Sequence, residues 1–476
     1  MSYLLNSQPM PAGDKMSSLI QSVYTKETMV TISDDHKDWE NVKRVRVSGH
    51  DPRSILYSLN KSFGSGGVQP GPRGKTALPV AQSSSYQECE ARLKRLYSAI
   101  EIDLDLWEGA KVTPNKYADP LAQEIKNKST AQLQYLSGMI NRDGSGILAT
   151  VESVSGLKLN FEKAPSCGGA GANHLSYNEV YAVVRADGSE SLVAGKKYLS
   201  GPAHIIGLVE VFDIERNGGD NYAEVEVYSG DTAAVGVSGS ESLLISAVSD
   251  IEVGDVICKL GAIVPKEYAE SAASFARPVD KELALLGNEI GGFYAIANDD
   301  GATYNGVTAE GSTKVSAIDA SEELADLDQL QRMMNKLVSK MGSRYKYDQM
   351  LVSPGIERTF LQAQESDRRL VSHTDKERGF DGFGFKTNGQ TLACQVSQFA
   401  FLQEINVVPK DLKGVVQMHG TEYKEIAVDS QKTFLKTRDG GGYETALQKY
   451  MYATMTFICP NPAAMGRVKK VGILSV

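Results

Sequence analysis

The segment from Tyr86 to Gly146 constrains the fold of this chain more than any other. An alternating run with charged residues on one side, Ala91 to Trp107, predicts a β-strand. A helix is predicted to follow from about Asp119 to Arg142, and a Gly/Ser/Asp turn at 141–146 ends it. No catalytic motif lies in or beside this segment. A long helix next to long strands, with no chemistry attached, is typical of a structural building block.

The helix has clear start and stop signals. Asp119 can cap its first turn, and Pro120 fits the first helical position because its missing N–H needs no partner there. Gly144 is typical of the residue that ends a helix. Apolar residues recur every three or four positions, at Leu121, Ile125, Leu133, Leu136 and Ile140. One face of the helix is therefore predicted to be buried.

Composition disfavours several classes of protein. The chain has 476 residues and a net charge of -9, whereas a tight nucleic-acid binder is usually basic. Contact with a packaged polyanion through a few local basic residues stays open. No apolar run approaches the ~18 residues of a membrane span, so no membrane partner is expected. The N-terminus lacks the pattern of a secretory signal.

Motifs for metal, nucleotide or nucleophilic chemistry are weak or missing. The cysteines are scattered without a C-x-x-C pair, which disfavours disulfides and structural zinc and fits a reducing compartment. The stretch 71–76 resembles the end of a phosphate-binding loop, but Gln69 stands where that loop needs glycine. We therefore predict no catalytic residue, no cofactor and no metal, and a protein that is not an enzyme.

Strand patterns divide the rest of the chain. The alternation at 42–47 and the run ending at Trp107 predict one long hairpin with a Gly/Pro-rich tip. Residues 147–262 are strand after strand, and residues 263–476 mix helices with strands. The strands predicted in the first of these regions are Ile147–Val151, Leu157–Glu162, Val180–Arg185, Ile205–Ile214, Tyr222–Tyr228, Leu243–Val248 and Asp255–Leu260. The later elements are helices over Ser321–Met341 and Pro354–Ser366 and a long strand over Tyr443–Ile458.

Three carboxylates at alternate positions, Glu101, Asp103 and Asp105, line one face of the predicted strand. The row has three interpretations. It is a solvated strand face, a divalent-ion site, or a contact between subunits with basic residues. The basic residues proposed for that contact are Arg44, Arg46 and Arg53.

The order of these parts resembles the major capsid protein of tailed double-stranded-DNA phages. Three stretches carry the resemblance: YQECEARLKRLYSAIEIDLDLWEGA at 86–110, NRDGSG at 141–146 and NPAAMGRV at 461–468. They are similar to the returning strand of the family's extended loop, to the end of its spine helix and to its C-terminal ending. The resemblance implies an α+β capsid fold of Hong Kong 97 type, with an arm, an extended loop, a spine helix, peripheral and axial domains, and a β-rich insertion.

The resemblance also implies a domain plan. The implied ranges are 1–45 for the N-terminal arm, 46–110 for the extended loop and its return, 111–146 for the spine helix, 147–262 for the β-rich insertion, 263–430 for a mixed and largely axial domain, and 431–476 for peripheral-domain strands.

The implied function is that of a shell subunit in a virion, assembled in the host bacterial cytoplasm. Its partners would be copies of itself in hexamers and pentamers, a separate scaffolding protein, a portal, an optional decoration protein, and packaged double-stranded DNA contacted non-specifically. Two alternatives stay open: an encapsulin-like nanocompartment shell, and a soluble β-rich enzyme with a dispersed site.

Overall fold

The structure is a computed structural model, and its description covers part of the chain. The described residues are 38, 42–46, 54–62, 83–103, 120–163, 171–186, 190–193, 196–199, 203–215, 221–228, 245–259, 262, 289–296, 303–304, 307–308, 314–342, 345–363, 384–387, 390–409, 417–420, 424–425, 434–437 and 443–473.

Helices and strands alternate irregularly along the described residues. The α-helices are α1 (Pro120–Asn141), α2 (Phe293–Ile296), α3 (Leu327–Met341) and α4 (Pro354–Ala363). The strands of the first half are β1 (Lys43–Arg46), β2 (Ser54–Ser62), β3 (Ser85–Arg92), β4 (Lys94–Asp103), β5 (Ile147–Ser155), β6 (Lys158–Phe161), β7 (Val180–Ala186), β8 (Glu190–Val193), β9 (Lys196–Leu199), β10 (Ala203–Glu215), β11 (Tyr222–Val227) and β12 (Val256–Cys258). Those of the second half are β13 (Thr303–Tyr304), β14 (Val307–Thr308), β15 (Ser316–Asp319), β16 (Tyr347–Val352), β17 (Gly384–Thr387), β18 (Gln390–Val396), β19 (Ile405–Pro409), β20 (Gln417–Gly420), β21 (Lys424–Glu425), β22 (Phe434–Thr437), β23 (Tyr443–Ile458) and β24 (Gly466–Lys469).

The long strand β23 organises the first six-stranded sheet. One of its edges pairs antiparallel with β4, and its other edge is shared by β20, β21 and β22. Helix α1 covers one face of this sheet, where Leu136 and Ile140 pack with Ala453 and Phe457 in one apolar core. The predicted ends of α1 and β23 are confirmed to within one residue. The proposed cap, Asp119, lies outside the described residues.

The single hairpin predicted from 42–47 and 91–107 is wrong. Strand β1 pairs in parallel with β20, Lys43 opposite Gln417, and so forms an edge of the first sheet. The hairpin is instead β2 with β3, Ser54 opposite Arg92. The run predicted as one strand breaks between β3 and β4, and β4 pairs with β23. Alternation identifies the two faces of a strand, but the partner is chosen by contacts distant in sequence.

The β-rich region at 147–262 forms a closed six-stranded barrel, ordered β10–β11–β6–β5–β12–β7. Its interior is apolar and includes Leu148, Val183 and Val209. Six of the seven predicted strands are confirmed as barrel strands. The seventh, Leu243–Val248, is wrong in its described part, because residues 245–250 form bends and a 3-10 turn over Val248–Asp250. Asp250 accepts hydrogen bonds from the backbone of Ser246 and Ala247 there, which replaces strand pairing.

A second six-stranded sheet has the order β15–β24–β19–β16–β18–β17. Helix α3 packs on it through Leu330, Met333 and Leu337. This sheet takes β24 from the range 431–476, whereas the first sheet takes β20 and β21 from the range 263–430. The two sheets therefore exchange segments across the expected boundary at 430, and the domain ranges stay predictions.

Helix α3 begins six residues later than predicted. Ser321 and Glu322 have positive φ angles of 53° and 67°, a left-handed turn that a helix cannot include. Asp326 then caps the helix by accepting a hydrogen bond from the Leu327 N–H. At the other end Gly342, at φ 61°, follows the last turn.

Candidate functional site

The β2–β3 hairpin has one buried and one exposed face. Among the described strands, β2 and β3 pair only with each other. Ile55 and Ala91 on the inner face pack against Ile458 of β23. On the opposite face, Leu56 is 59% exposed and Tyr86 is 66% exposed. An isolated two-stranded hairpin is at best marginally stable in water, so a further contact on its exposed face would stabilise it.

The outer face of β4 and β23 carries an aromatic and charged row. Tyr97, exposed, lies opposite Tyr452 with the ring centroids 6.3 Å apart, and the Arg95 guanidinium lies 6.0 Å from the Tyr452 ring. Farther along, Glu101 accepts a hydrogen bond of 3.1 Å from Gln448. Tyrosine and arginine are the side chains most often enriched in protein interfaces.

Arg44 and Glu101, two of the predicted contact residues, do not meet within one chain. Arg44 is exposed on β1 and is in register with Phe457 through Met418. Glu101, in contrast, lies opposite Gln448. At ~3.3 Å per residue along a strand, these positions are roughly 30 Å apart. A contact between Arg44 and Glu101 would therefore join two chains.

The other predicted contact residues are placed less completely. Arg46 is exposed at the end of β1, and Asp103 ends β4 opposite Ala446. Arg53 and Asp105 lie outside the described residues. In the part of the chain that is described, no group of three metal-binding side chains comes together. The divalent-ion interpretation of the row stays a prediction.

Behind these surfaces, the end of α1 is joined to the rest of the molecule by a buried ion pair. Arg142 is 1% exposed and donates two hydrogen bonds of 2.9 Å to the Glu289 carboxylate. Its third nitrogen lies 3.2 Å from Nδ1 of His174, next to the barrel. The guanidinium also lies 4.9 Å from the Tyr135 ring, and the Tyr135 hydroxyl donates to Glu289. A buried guanidinium is unfavourable unless its charge and its N–H groups are paired, as they are here.

Small residues make room for this pair. A side chain on Gly138 would lie 3.2 Å from the Arg142 guanidinium and 3.3 Å from His174. Gly292 packs against the backbone of Ile140 and donates a 2.9 Å hydrogen bond to the Arg142 carbonyl. The end of α1, the 289–296 segment and the barrel are thus held in one arrangement.

A second ion pair lies within the barrel region and contacts α1 through Tyr135. Lys259 lies 3.1 Å from Glu179 and 4.9 Å from the Tyr135 ring, and Tyr181 donates a 3.0 Å hydrogen bond to Glu179. Burial raises the pKa of Glu179, but Lys259, the Tyr181 hydroxyl and Lys128 more than offset this, so the pKa is lowered overall. Glu179 is therefore ionised at neutral pH.

Asp38 connects the N-terminal region to both sheets. Its buried carboxylate accepts a hydrogen bond of 2.7 Å from Asn141 at the end of α1. It accepts another, of 2.5 Å, from Ser397 after β18. A buried ion pair like that of Arg142 and Glu289 lies in the second sheet. There Arg467 donates a hydrogen bond to Glu404 and lies 4.4 Å from the Tyr294 ring. These contacts fix the orientation of the elements.

Sequence reasoning missed all of these buried charges. Arg142 was included only as the end of a helix, within the NRDGSG turn. A usable signal was present, because Arg142 follows a run of apolar and small residues at 136–140. Such a run is typical of a buried segment, where a charged side chain needs a partner. Glu289 had no such signal.

The described cysteines are buried or half-buried, and none of them forms a disulfide with another described residue. Burial raises the pKa of Cys459 to about 12, and burial with the charge of Glu357 raises that of Cys394 to about 12. Such thiols are protonated at neutral pH and unreactive. No helix among the described residues has the length and apolarity needed to cross a membrane.

No family model and no curated protein matches this chain. It is similar to a solved cyanophage A-1(L) capsid protein, with 9% identity, a TM-score of 0.47, and 94% of this chain and 95% of that chain covered. It is similar to the capsid of a native GTA particle, with 8% identity, a TM-score of 0.44 and 94% of each chain covered. It is also similar to the holo-SrpI encapsulin complex of Synechococcus elongatus, with 7% identity, a TM-score of 0.39, and 97% of this chain and 96% of that chain covered. These solved structures are capsids and an encapsulin.

Proposed function

We propose that this chain is the structural subunit of a closed icosahedral shell of Hong Kong 97 type, the head shell of a tailed phage. The β2–β3 hairpin carries the proposal. Its outer face exposes Leu56 and Tyr86, and among the described strands it pairs with none beyond itself. Such an element gains stability when a neighbouring copy covers it, and subunits in obligate assemblies bury thousands of Å².

In this proposal α1 is the spine helix and the first sheet belongs to the peripheral domain. The hairpin is part of the extended loop and lies on a neighbouring subunit, together with the N-terminal arm. Hexamers and pentamers of the chain would enclose double-stranded DNA, with a scaffolding protein and a portal as assembly partners and a decoration protein as an optional one. Nuclease-protected DNA in purified particles would distinguish this head shell from a nanocompartment that holds a protein cargo.

Changing the exposed hairpin face should block assembly without unfolding the subunit. We expect the double variant Leu56→Asp, Tyr86→Asp to give no closed particles by negative-stain electron microscopy. Because both side chains are exposed, the free energy of unfolding should change by only about 0.5 kcal/mol. Circular dichroism of the purified subunit checks that the fold is retained.

The matched control is Val253→Asp, which places the same charge at an apolar position on the barrel that is 71% exposed. This variant should assemble as the unmodified chain does. Normal particle yields from the double hairpin variant would refute the proposal, and so would an unmodified chain that stays monomeric at high concentration with its phage partners present.

We propose further that Arg44, Arg46 and Arg53 of one subunit contact Glu101, Asp103 and Asp105 of another. Support comes from the separation of roughly 30 Å, at ~3.3 Å per residue, which keeps Arg44 and Glu101 apart within one chain. A single exposed pair contributes only ~0–1 kcal/mol, but a shell repeats it many times.

Charge reversal tests this contact. Glu101→Lys combined with Asp103→Lys should lower the yield of particles, and adding Arg44→Glu and Arg46→Glu should restore part of it. Particle yield is measured by sedimentation. Glu226→Lys, an exposed reversal on the barrel, is the control and should have no effect. Equal yields from all of these variants would exclude the contact.

A further inference from the structure

A cleft of about 340 Å³ lies between β4, α1 and the barrel. Residues 94–99 of β4 form one wall, and Lys128, Gln132 and Tyr135 of α1 form another. Glu179 and Lys259 of the barrel and Glu289 complete the lining. The shell proposal gives this cleft no role.

Positive charge exceeds negative charge among the described lining residues. The cations that face it are Lys94, Lys128 and Lys259, and the carboxylates are Glu179 and Glu289. The Arg95 guanidinium lies on the opposite face of β4, over the Tyr452 ring. Both carboxylates already have partners, since Glu179 pairs with Lys259 and Glu289 pairs with Arg142. The cleft is therefore basic, although the whole chain carries a net charge of -9.

Two lining groups indicate that an anion is favourable here. Burial, with the charge of Arg92 as a smaller cause, lowers the pKa of Lys94 to about 8, and a bound anion would stabilise its charged form. Gln132 is 8% exposed, and its buried Nε2 has no hydrogen-bond partner among the described residues. A buried amide without an acceptor is unfavourable, and rotation of its terminal torsion can present that donor to a bound group.

We propose that this cleft binds a tetrahedral oxyanion of the phosphate class, held by the ammonium groups of Lys94 and Lys128 and the amide of Gln132. Lysine is a common phosphate ligand because its ammonium is a compact charge with three donors. The phosphate group has two sources, inorganic phosphate in solution and the backbone of DNA.

Isothermal titration calorimetry of the full-length chain with inorganic phosphate at pH 7 tests the site, with ionic strength held constant by sodium chloride. Lys128→Met and Gln132→Leu are each expected to weaken the affinity about tenfold. Lys424→Met removes an exposed lysine of β21 that does not line the cleft and should leave the affinity unchanged. Lys128 is itself exposed, so its variant should fold even if Gln132→Leu does not.

A short DNA duplex, supplied at the same concentration of phosphate groups, separates the two sources. If inorganic phosphate binds the unmodified chain and both variants weaken that binding, the ligand is a free ion. If the duplex binds and both variants weaken that binding, the ligand is the DNA backbone. Failure of both probes to bind the unmodified chain, or equal affinities in the variants, would overturn the proposal. Shell formation is scored separately by microscopy, so failure here leaves the proposed function intact.

Sulfate, which stays doubly charged, gives the pH dependence. Its affinity should fall between pH 7 and pH 9, because Lys94 loses its proton and with it a positive charge. The other titratable and charged groups that face the cleft are Lys128, Tyr135, Glu179, Lys259 and Glu289. Arg92 acts on Lys94 from outside the lining, and Arg95 and Tyr97 lie on the opposite face of β4. The Lys94→Met variant should bind sulfate more weakly, and its affinity should not change between pH 7 and pH 9. If this variant shows the same pH profile as the unmodified chain, Lys94 is not part of the site.

Discussion

Replacing Arg142 with methionine is expected to lower the free energy of unfolding by about 3–5 kcal/mol. The methionine fills most of the space but leaves the Glu289 carboxylate, 4% exposed, without the two hydrogen bonds that compensate its burial. The side chain of His174 and the ring of Tyr135 also lose their contacts with the guanidinium. Urea unfolding followed by circular dichroism measures the effect.

Two further variants separate charge from packing at this site. Arg142→Lys keeps the charge but not the two parallel hydrogen bonds, so it should be less destabilising than Arg142→Met. Combining Arg142→Met with Glu289→Gln removes the unpaired charge and should recover part of the lost unfolding free energy. Comparison of the double variant with the two single variants gives the coupling free energy of the pair. If Arg142→Met costs less than about 1 kcal/mol, the pair does not hold the junction together.

Gly292→Ala should be at least as damaging, at about 3 kcal/mol or more, and we expect mostly insoluble protein. A Cβ at this position would lie 1.9 Å from the Ile140 carbonyl oxygen and 2.6 Å from that of Met139. Both atoms are main chain in α1, so neither can move aside as a side chain would. The shift would also break the hydrogen bond from Gly292 to the Arg142 carbonyl. Soluble yield and thermal melting check the prediction.

The matched control is Gly156→Ala in the turn between β5 and β6. That position has open space for a Cβ but a φ of +64°. The variant should therefore lose only the about 1–2 kcal/mol of stability that a left-handed backbone costs an alanine. Comparable melting temperatures for the two alanine variants would show that α1 and the 289–296 segment are not in close contact.

Local patterns were sufficient where one element determines its own limits. Strand β23 begins and ends at the predicted residues, because its β-forming sequence stops at Pro460. Helix α1 starts at Pro120 and ends before a turn in which Gly144 has a φ of 85°. In both cases the signal lies within a few residues of the boundary.

Partners distant in sequence were not predictable from such patterns. Arg142 and Glu289 are 147 positions apart, and Asp38 and Ser397 are 359 positions apart. The pairing of β1 with β20 and the closure of the barrel depend on the same kind of contact. Amphipathic alternation gives each strand a buried face, which many partners could cover, and only the packed structure selects one. For the proposed contact residues Arg44 and Glu101, the charges could be read from the sequence, whereas their separation within one chain required the fold.

The pairing of β4 with β23 has a consequence for the timing of synthesis. Glu101 and Gln448, joined across these strands, are 347 residues apart. At ~5–20 residues per second, a ribosome needs roughly 17 to 70 s to travel between them. During that interval β4 and α1 have been made, but the strand that completes their sheet does not yet exist. The outer face of β4 and β23 therefore forms only on nearly finished chains. If the proposed shell assembles through this face, incomplete polypeptides lack the surface needed to enter it.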